Sequence, residues 1–326
     1  MAPEKNLTAL GIDIGGTHTK VGLVDRTGSI REFHSFPTRA FEETPQPFLD
    51  RLSGYVHPLL ASVRGSCMGI GISTHGYIDT DRRGPIVCRN TPSLKGFDLC
   101  SWAENEFKMR TLINNDLIAH ALAEYYFGSG IGTRRFMCMA IGTGFGVGVI
   151  NDGHPLRLVG GTTGDAGRII LEPGGIKCNY GVGGSVEALV GVSNIERIAR
   201  ERYGHHVPAN EVITHARLKS DPLAIEIMQL IGGYLGHALA TLSAIFLPEK
   251  VALTGGTAEA GKILLEACRK RFYELSGDYH QLLRKESEAL YQGTEIVLGK
   301  NRGESGLLGS VVEFFPTVDK LNRKVP

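Results

Sequence analysis

The 326-residue chain has no excess of charge of either sign: 35 Lys and Arg stand against 34 Asp and Glu. This balance excludes a broadly basic, phosphate-binding surface, so nucleic acid is not an expected partner. Paired cysteine spacing is also missing. Cys67, Cys88, Cys100, Cys138, Cys178 and Cys268 are scattered, and residues 1–6 carry no apolar leader core, which reads as a reduced, cytoplasmic protein. The longest apolar stretch, near residues 231–247, is broken by Gly232, Gly233, Gly236, His237 and Ser243 and reads as a buried helix, so no membrane partner is expected. Linkers rich in Pro or Ser are absent as well. Glycine, by contrast, is abundant: 43 residues gather in short motifs, the usage of turns and ligand loops. With 42% hydrophobic residues, a chain of this length can bury two sizeable cores.

The first motif is Leu10-Gly11-Ile12-Asp13-Ile14-Gly15-Gly16-Thr17-His18-Thr19-Lys20-Val21-Gly22-Leu23-Val24-Asp25. Two apolar runs flank Gly15-Gly16-Thr17, whose bare backbone N–H groups suit an anion. Asp13 ends the first run facing that turn, where a carboxylate would reach phosphates through a hydrated Mg²⁺. An ordinary hairpin with a Gly-Gly turn is the plainer alternative.

Periodicity predicts strands near 7–14, 18–25 and 28–36, a helix near 43–63, and strands at 68–73 and 111–113. A similar order then recurs. It comprises a helix near 116–128, strands at 135–140 and 146–151, a long loop, helices near 193–203 and 221–246, a strand at 250–254 and a helix at 258–273. A strand at 295–298 and a last helix near 304–312 complete the pattern. One plan appears twice, without near-identical sequence. Further glycine turns follow strands at Gly142-Thr143-Gly144, Gly160-Gly161-Thr162-Thr163-Gly164 and Thr254-Gly255-Gly256-Thr257. The hairpins opening the two half-plans could clamp a triphosphate, with Gly255-Gly256 admitting a flat adenine or a ribose. Between them, Asn114-Asn115-Asp116 separates a strand from a helix. Asp116 suits a helix N-cap, and equally a base that takes a sugar hydroxyl's proton.

Gly11-Ile12-Asp13-Ile14-Gly15-Gly16-Thr17, Asn115-Asp116 with Glu124, Gly142-Thr143-Gly144, Gly164-Asp165-Ala166-Gly167 and Gly255-Gly256 stand in the order of the ROK family. The chain resembles that family over about residues 7–315. The family comprises bacterial glucokinases, fructokinases, N-acetylhexosamine kinases and sugar-responsive repressors. The resemblance implies an α/β, actin-like, hexokinase-type ATPase fold: two ribonuclease H-like domains around a central cleft. The expected domains are residues 1–116 plus 305–326, and residues 117–304. It also implies a cytoplasmic, ATP- and Mg²⁺-dependent kinase of a hexose or amino sugar, and a homodimer. By the same resemblance Asp116 is the base, and Gly76, Asn90, Asn115, Asp165 and Glu187 meet the sugar. Asp13, Gly15, Gly16, Thr17, Gly142, Thr143, Gly144, Gly255 and Gly256 then serve ATP, with Asp13 reaching Mg²⁺ through water.

The pattern breaks at the family's zinc site, a His and three Cys. The His position is Arg168, and of the cysteines only Cys178 stands, in Cys178-Asn179-Tyr180-Gly181-Val182-Gly183-Gly184-Ser185-Val186-Glu187. A permanently protonated guanidinium is no zinc ligand, so no structural zinc is expected. Arg168 either pairs with Asp165 or Glu187 in place of the metal's charge, or reaches a substrate bearing an acid group. His18 reads as a solvated turn residue, His75 as a neighbour of the sugar loop, and His120 as plain packing.

A sugar-sensing regulator is disfavoured, because repressors of this type carry a helix-turn-helix ahead of the body and the first strand here begins near residue 7. A non-catalytic sugar binder is the other alternative, suggested by the broken zinc motif. Polyphosphate could replace ATP as donor.

Overall fold

The computed structural model describes residues 7–63, 65–79, 81–287 and 291–315. In chain order these form β1 (Thr8–Ile14), β2 (His18–Asp25), β3 (Ile30–Pro37), α1 (Gln46–Ser62), β4 (Cys67–Thr74), β5 (Tyr77–Ile78), β6 (Pro85–Val87), α2 (Leu99–Phe107), β7 (Thr111–Asn115) and α3 (Asp116–Phe127). Then follow β8 (Arg135–Ile141), β9 (Phe145–Asn151), β10 (His154–Pro155), α4 (Val186–Val190), α5 (Val192–Tyr203), α6 (Ala209–Leu218) and α7 (Pro222–Phe246). The remainder is β11 (Lys250–Thr254), α8 (Lys262–Ser276), α9 (Tyr279–Glu286), β12 (Glu295–Leu298) and α10 (Ser305–Val311).

Two five-stranded sheets have the orders β3-β2-β1-β4-β7 and β10-β9-β8-β11-β12. Numbered within its own half, each runs 3-2-1-4-5, so the repeated plan read from periodicity is a repeated topology. In the first sheet β1, β2 and β3 are antiparallel, while β4 and β7 run parallel to β1 and its extension. Parallel neighbours need crossovers, which α1 and α2 supply.

The described residues within 1–132, 148–164 and 304–326 form one compact unit, and those within 133–147 and 165–303 form the other. This differs from the expected boundary at 116/117, because α3 and residues 148–164 pack with the first unit. The tie is α10: a Cβ on Gly309 would lie 1.7 Å from the Ala119 carbonyl oxygen of α3.

Period-2 alternation explains the first unit's two cores. Leu10, Ile12 and Ile14 point to one face with Ile70, Ile72, Phe48 and Leu52. On the other face Ala9 and Val24 meet Leu307, Leu308 and Val311 of α10. Glycines allow that helix to lie almost on the strands. A Cβ on Gly71 would sit 2.1 Å from the Ser310 carbonyl oxygen, and one on Gly11 2.8 Å from that of Leu307.

In the second unit α7 is the one helix among the described residues long and apolar enough to cross a membrane. It is a core element here, burying Ile227, Met228, Ile231, Leu235 and Leu239. Gly232 and Gly236 let it touch α8, whose Leu264 and Cys268 carbonyl oxygens lie 2.6 and 2.4 Å from the Cβ positions. The helix expected at 258–273 starts later, at Lys262, because Gly261 adopts φ +70° and breaks it from a preceding 3₁₀ turn.

Candidate active site

In the first unit the β1–β2 turn is closed by the Gly15 N–H donating to the His18 carbonyl at 3.1 Å, and the Gly15 carbonyl accepts from Thr38 Oγ1 at 2.7 Å. Thr17 and His18 are exposed at its tip. A Cβ on Gly16 would lie 2.8 Å from that of Asn90, so the expected phosphate turn and this expected sugar residue are neighbours. Asp13 pairs in register with Lys20, and its carboxylate lies against Gly306 at the start of α10, 2.3 Å from where a Cβ would be.

The β7–α3 junction sets the second group. Asn115, not Asp116, is the N-cap: its Oδ1 accepts from the Leu117 N–H at 2.9 Å. Its Nδ2 donates to the Gly76 carbonyl at 2.8 Å, fastening the loop after β4. Gly76 has φ +89° and a Cβ there would strike the Val87 carbonyl oxygen at 1.8 Å, so only glycine fits. Asn115→Ala removes both the cap and the tether, and should cost about 1–2 kcal/mol in a urea melt.

With the cap supplied by its neighbour, Asp116 occupies the first turn of α3, its Oδ1 2.9 Å from the Leu117 N–H. Its pKa is pushed up to about 7, first by burial and then by the like charge of Asp13, against the lowering effect of the Leu117 and Asp116 backbone N–H groups and the Asn115 side chain. A carboxyl so poised exchanges a proton near neutrality. Burial holds His75 below its ordinary pKa, against the backbone of Ile14 and the charge of Asp13. Burial lowers the pKa of His120 too, and the charges of Asp13, Lys20 and Glu124 act on it. Glu124 is fully buried, with Oε2 accepting from the Ser129 N–H at 3.0 Å and the Ser129 hydroxyl at 2.7 Å.

Sequence reasoning missed the residues that hold this junction. Asn114 Oδ1 accepts from Arg82 Nη2 at 2.9 Å and Arg157 Nη2 at 2.8 Å, while its Nδ2 donates to Glu313 Oε2 at 2.8 Å. The same Glu313 oxygen pairs with Arg82 at 2.8 Å and Arg157 at 3.1 Å. The available signal was the third polar residue in Asn114-Asn115-Asp116, at a strand end that would otherwise be apolar.

The second unit gathers the remaining candidates. In the β8–β9 turn the Gly142 N–H donates to the Gly144 carbonyl at 3.0 Å, and the Gly142 carbonyl accepts from the Val192 N–H at 3.1 Å. Thr143 is exposed between them. Gly255 has φ +86° and backs onto Ile141, whose carbonyl oxygen would be 2.3 Å from a Cβ, so the turn after β11 lies beside the end of β8. A Cβ on Gly142 or Gly256 would meet nothing within 4 Å, and the buried Thr257 hydroxyl has no hydrogen-bond partner among the described residues. Open glycine backbone beside an unanswered hydroxyl fits a nucleotide, and the Asp13 carboxylate at the first turn fits a hydrated Mg²⁺.

Glu187, near the start of α4, faces Gly144: its Oε2 would be 2.5 Å from a Cβ there and accepts from the Phe145 N–H at 3.4 Å. Its Oε1 takes Arg168 Nη1 at 2.7 Å, and Arg168 Nε donates to Asp165 Oδ2 at 3.1 Å. Arg168 thus pairs with both carboxylates named for it.

The ROK family model matches residues 9–312. A glucokinase of Halalkalibacterium halodurans is 30% identical over 285 residues, covering 81% of this chain and 84% of that protein. The Escherichia coli DNA-binding transcriptional dual regulator NagC is 26% identical over 273 residues, covering 81% of this chain and 67% of its own. Among solved structures, a ROK hexokinase from Thermus thermophilus superposes with a TM-score of 0.76 at 26% identity, covering 94% of this chain and 97% of the other. The repeated 3-2-1-4-5 sheets are those of an actin-like, hexokinase-type ATPase fold, and the chain belongs to the ROK family.

Proposed function

We propose that this protein is a kinase that transfers a phosphoryl group from ATP to a hydroxyl of a hexose or amino sugar. The observation that carries the reading is Asp116: a carboxyl held at the start of a helix, pushed up to about 7, beside a second carboxylate and a glycine turn. In this reading Asp116 accepts the sugar hydroxyl's proton as the oxygen attacks the γ-phosphorus, and the bond to ADP breaks. Asn115 fastens the Gly76 loop that orients the sugar, Asn90 stands beside the Gly16 turn, and Asp165 and Glu187 accept from the ring hydroxyls. Gly15, Gly16, Thr17, Gly142, Thr143, Gly144, Gly255 and Gly256 offer backbone or hydroxyl donors to ATP. Asp13 would hold Mg²⁺ through water, and the ion when bound neutralises phosphate charge. Such transfers need mostly positioning and charge neutralisation, which this residue set can supply. A cytoplasmic site of action, where ATP is abundant, agrees with the six cysteines all being free.

A sugar-responsive, non-catalytic role is the second reading, favoured by the similarity to a transcriptional regulator. A coupled ADP-release assay over a panel of hexoses and amino sugars, repeated with polyphosphate as donor, separates the two. Turnover of at least one sugar is expected. Saturable sugar binding without turnover with either donor would overturn the kinase reading.

A further inference from the structure

In the second unit a single guanidinium organises the segment from Asp165 to Glu187. Arg168 gives Nε to Asp165 at 3.1 Å and Nη1 to Glu187 at 2.7 Å, and Nη1 also lies 3.2 Å from Cys178 Sγ. The Tyr180 ring covers it, with its centroid 4.2 Å from Cζ, a cation–π distance. Burial alone would push the Cys178 thiol up. The backbone N–H groups of Tyr180 and Val182, the Ser185 hydroxyl and Arg168 instead hold it below its ordinary value. Backbone hydrogen bonds close the rest of the segment: Leu171 N–H to Gly184 O at 2.9 Å, Gly184 N–H to Ile176 O at 2.7 Å and Cys178 N–H to Val182 O at 3.0 Å.

A tetrahedral zinc, implied here by the family, does not fit these residues. Arginine has no lone pair to give, and its charged nitrogen occupies the approach to the one sulfur that remains.

We propose that Arg168 is the fixed cation of this segment, a positioning residue that aims Glu187 and Asp165 at the sugar and leaves a site selective for neutral over anionic sugars. The second half of the argument is charge. One guanidinium against two carboxylates leaves a net negative site, which repels a carboxylate or phosphate on the substrate. Two of its three nitrogens are already bound to acids, which turns Arg168 toward its own carboxylates and away from an acid group on the substrate. The inference about the sugar rests on the kinase reading above, whereas the inference about the cation does not.

The test compares the full-length protein with Arg168→Lys and Arg168→Ala. Metal analysis of the purified wild type should find zinc far below one per chain, and a chelator should leave its melting temperature unchanged. Arg168→Ala should melt lower, and added zinc should not restore it. For the sugar that is turned over, Arg168→Ala should raise KM by about tenfold or more, with kcat and the KM for ATP nearly unchanged. Arg168→Lys, which keeps the charge without the fork, should recover part of the melting temperature but little of the KM. The uronate counterpart of that sugar should bind at least about tenfold more weakly to the wild type. Stoichiometric zinc, an Arg168→Ala protein with unchanged melting and sugar KM, or preference for the uronate would each overturn the proposal. If no sugar is turned over, the kinase reading falls. The metal and melting measurements then decide the role of the cation, and Arg168→Lys serves should Arg168→Ala not fold.

Discussion

With Asp116 replaced by Asn, kcat falls by about 10²–10⁴-fold while the sugar still binds, since an amide keeps the shape and loses only the proton acceptor. The same substitution makes the protein more stable at neutral pH and above. The sign follows from linkage. The folded pKa of Asp116 is pushed up to about 7 by burial and by Asp13, whereas an unfolded Asp titrates near 3.9. Its stabilising contribution is therefore complete below about pH 4 and is lost as pH rises through about 7. Asn has no such titration, so the melting temperature of the variant should gain on the wild type from pH 5 to about pH 7 and level off above it. In the wild type, kcat/KM should rise with pH and level off above about 7, as the free enzyme's base loses its proton. Thermal melts and rate profiles over that range check both. Undiminished turnover in the variant would remove Asp116 from the chemistry.

Gly309→Ala is expected to be the most damaging single methyl in the first unit. Its Cβ would stand 1.7 Å from the Ala119 carbonyl oxygen, and because that atom belongs to the backbone of α3, neither helix can yield by turning a side chain. The gain in helix propensity, about 1 kcal/mol, is outweighed by overpacking of about 3 kcal/mol or more. Gly233→Ala in α7 is the matched control, since its Cβ meets nothing within 4 Å and the helix gains the propensity alone. Calorimetry should show the first variant melting well below the wild type, or failing to fold, and the second at or above it. Equal melting of the two would show that the α3–α10 contact tolerates a wider spacing.

How much of this was legible in the sequence depended on period and neighbourhood. Strands β1, β2, β4, β8 and β11 alternate or run apolar between glycine turns, so pattern alone located them within a residue or two. Short helices without a long stripe, α2 and α6, were not read. α2 is started by Asp98, whose side chain accepts from the Ser101 N–H at 2.7 Å, a signal confined to four residues. The junction at Asn115-Asp116 was visible as chemistry, but which of the two caps α3 depends on side-chain direction, which spacing does not encode. The Arg82, Arg157 and Glu313 ties to Asn114 join positions as much as 199 residues apart, beyond any local pattern. Gly11 read as part of a phosphate motif, yet its role in the fold is to admit α10. Motif glycines therefore carry two meanings that only the packing separates.

The place of α10 in the chain has a consequence for biosynthesis. The helix completes the first unit but follows every residue of the second, so a nascent chain carries β1, β2 and β4 with one face uncovered until about residue 311 has left the ribosome. At ordinary elongation rates that interval is on the order of ten seconds or more. During it Ala9, Val24 and the glycine-lined strands between them lack the helix that covers them. The second unit can close as soon as its own strands emerge, so the first unit, although begun earlier, is finished last and is the part that most needs protection from aggregation during synthesis.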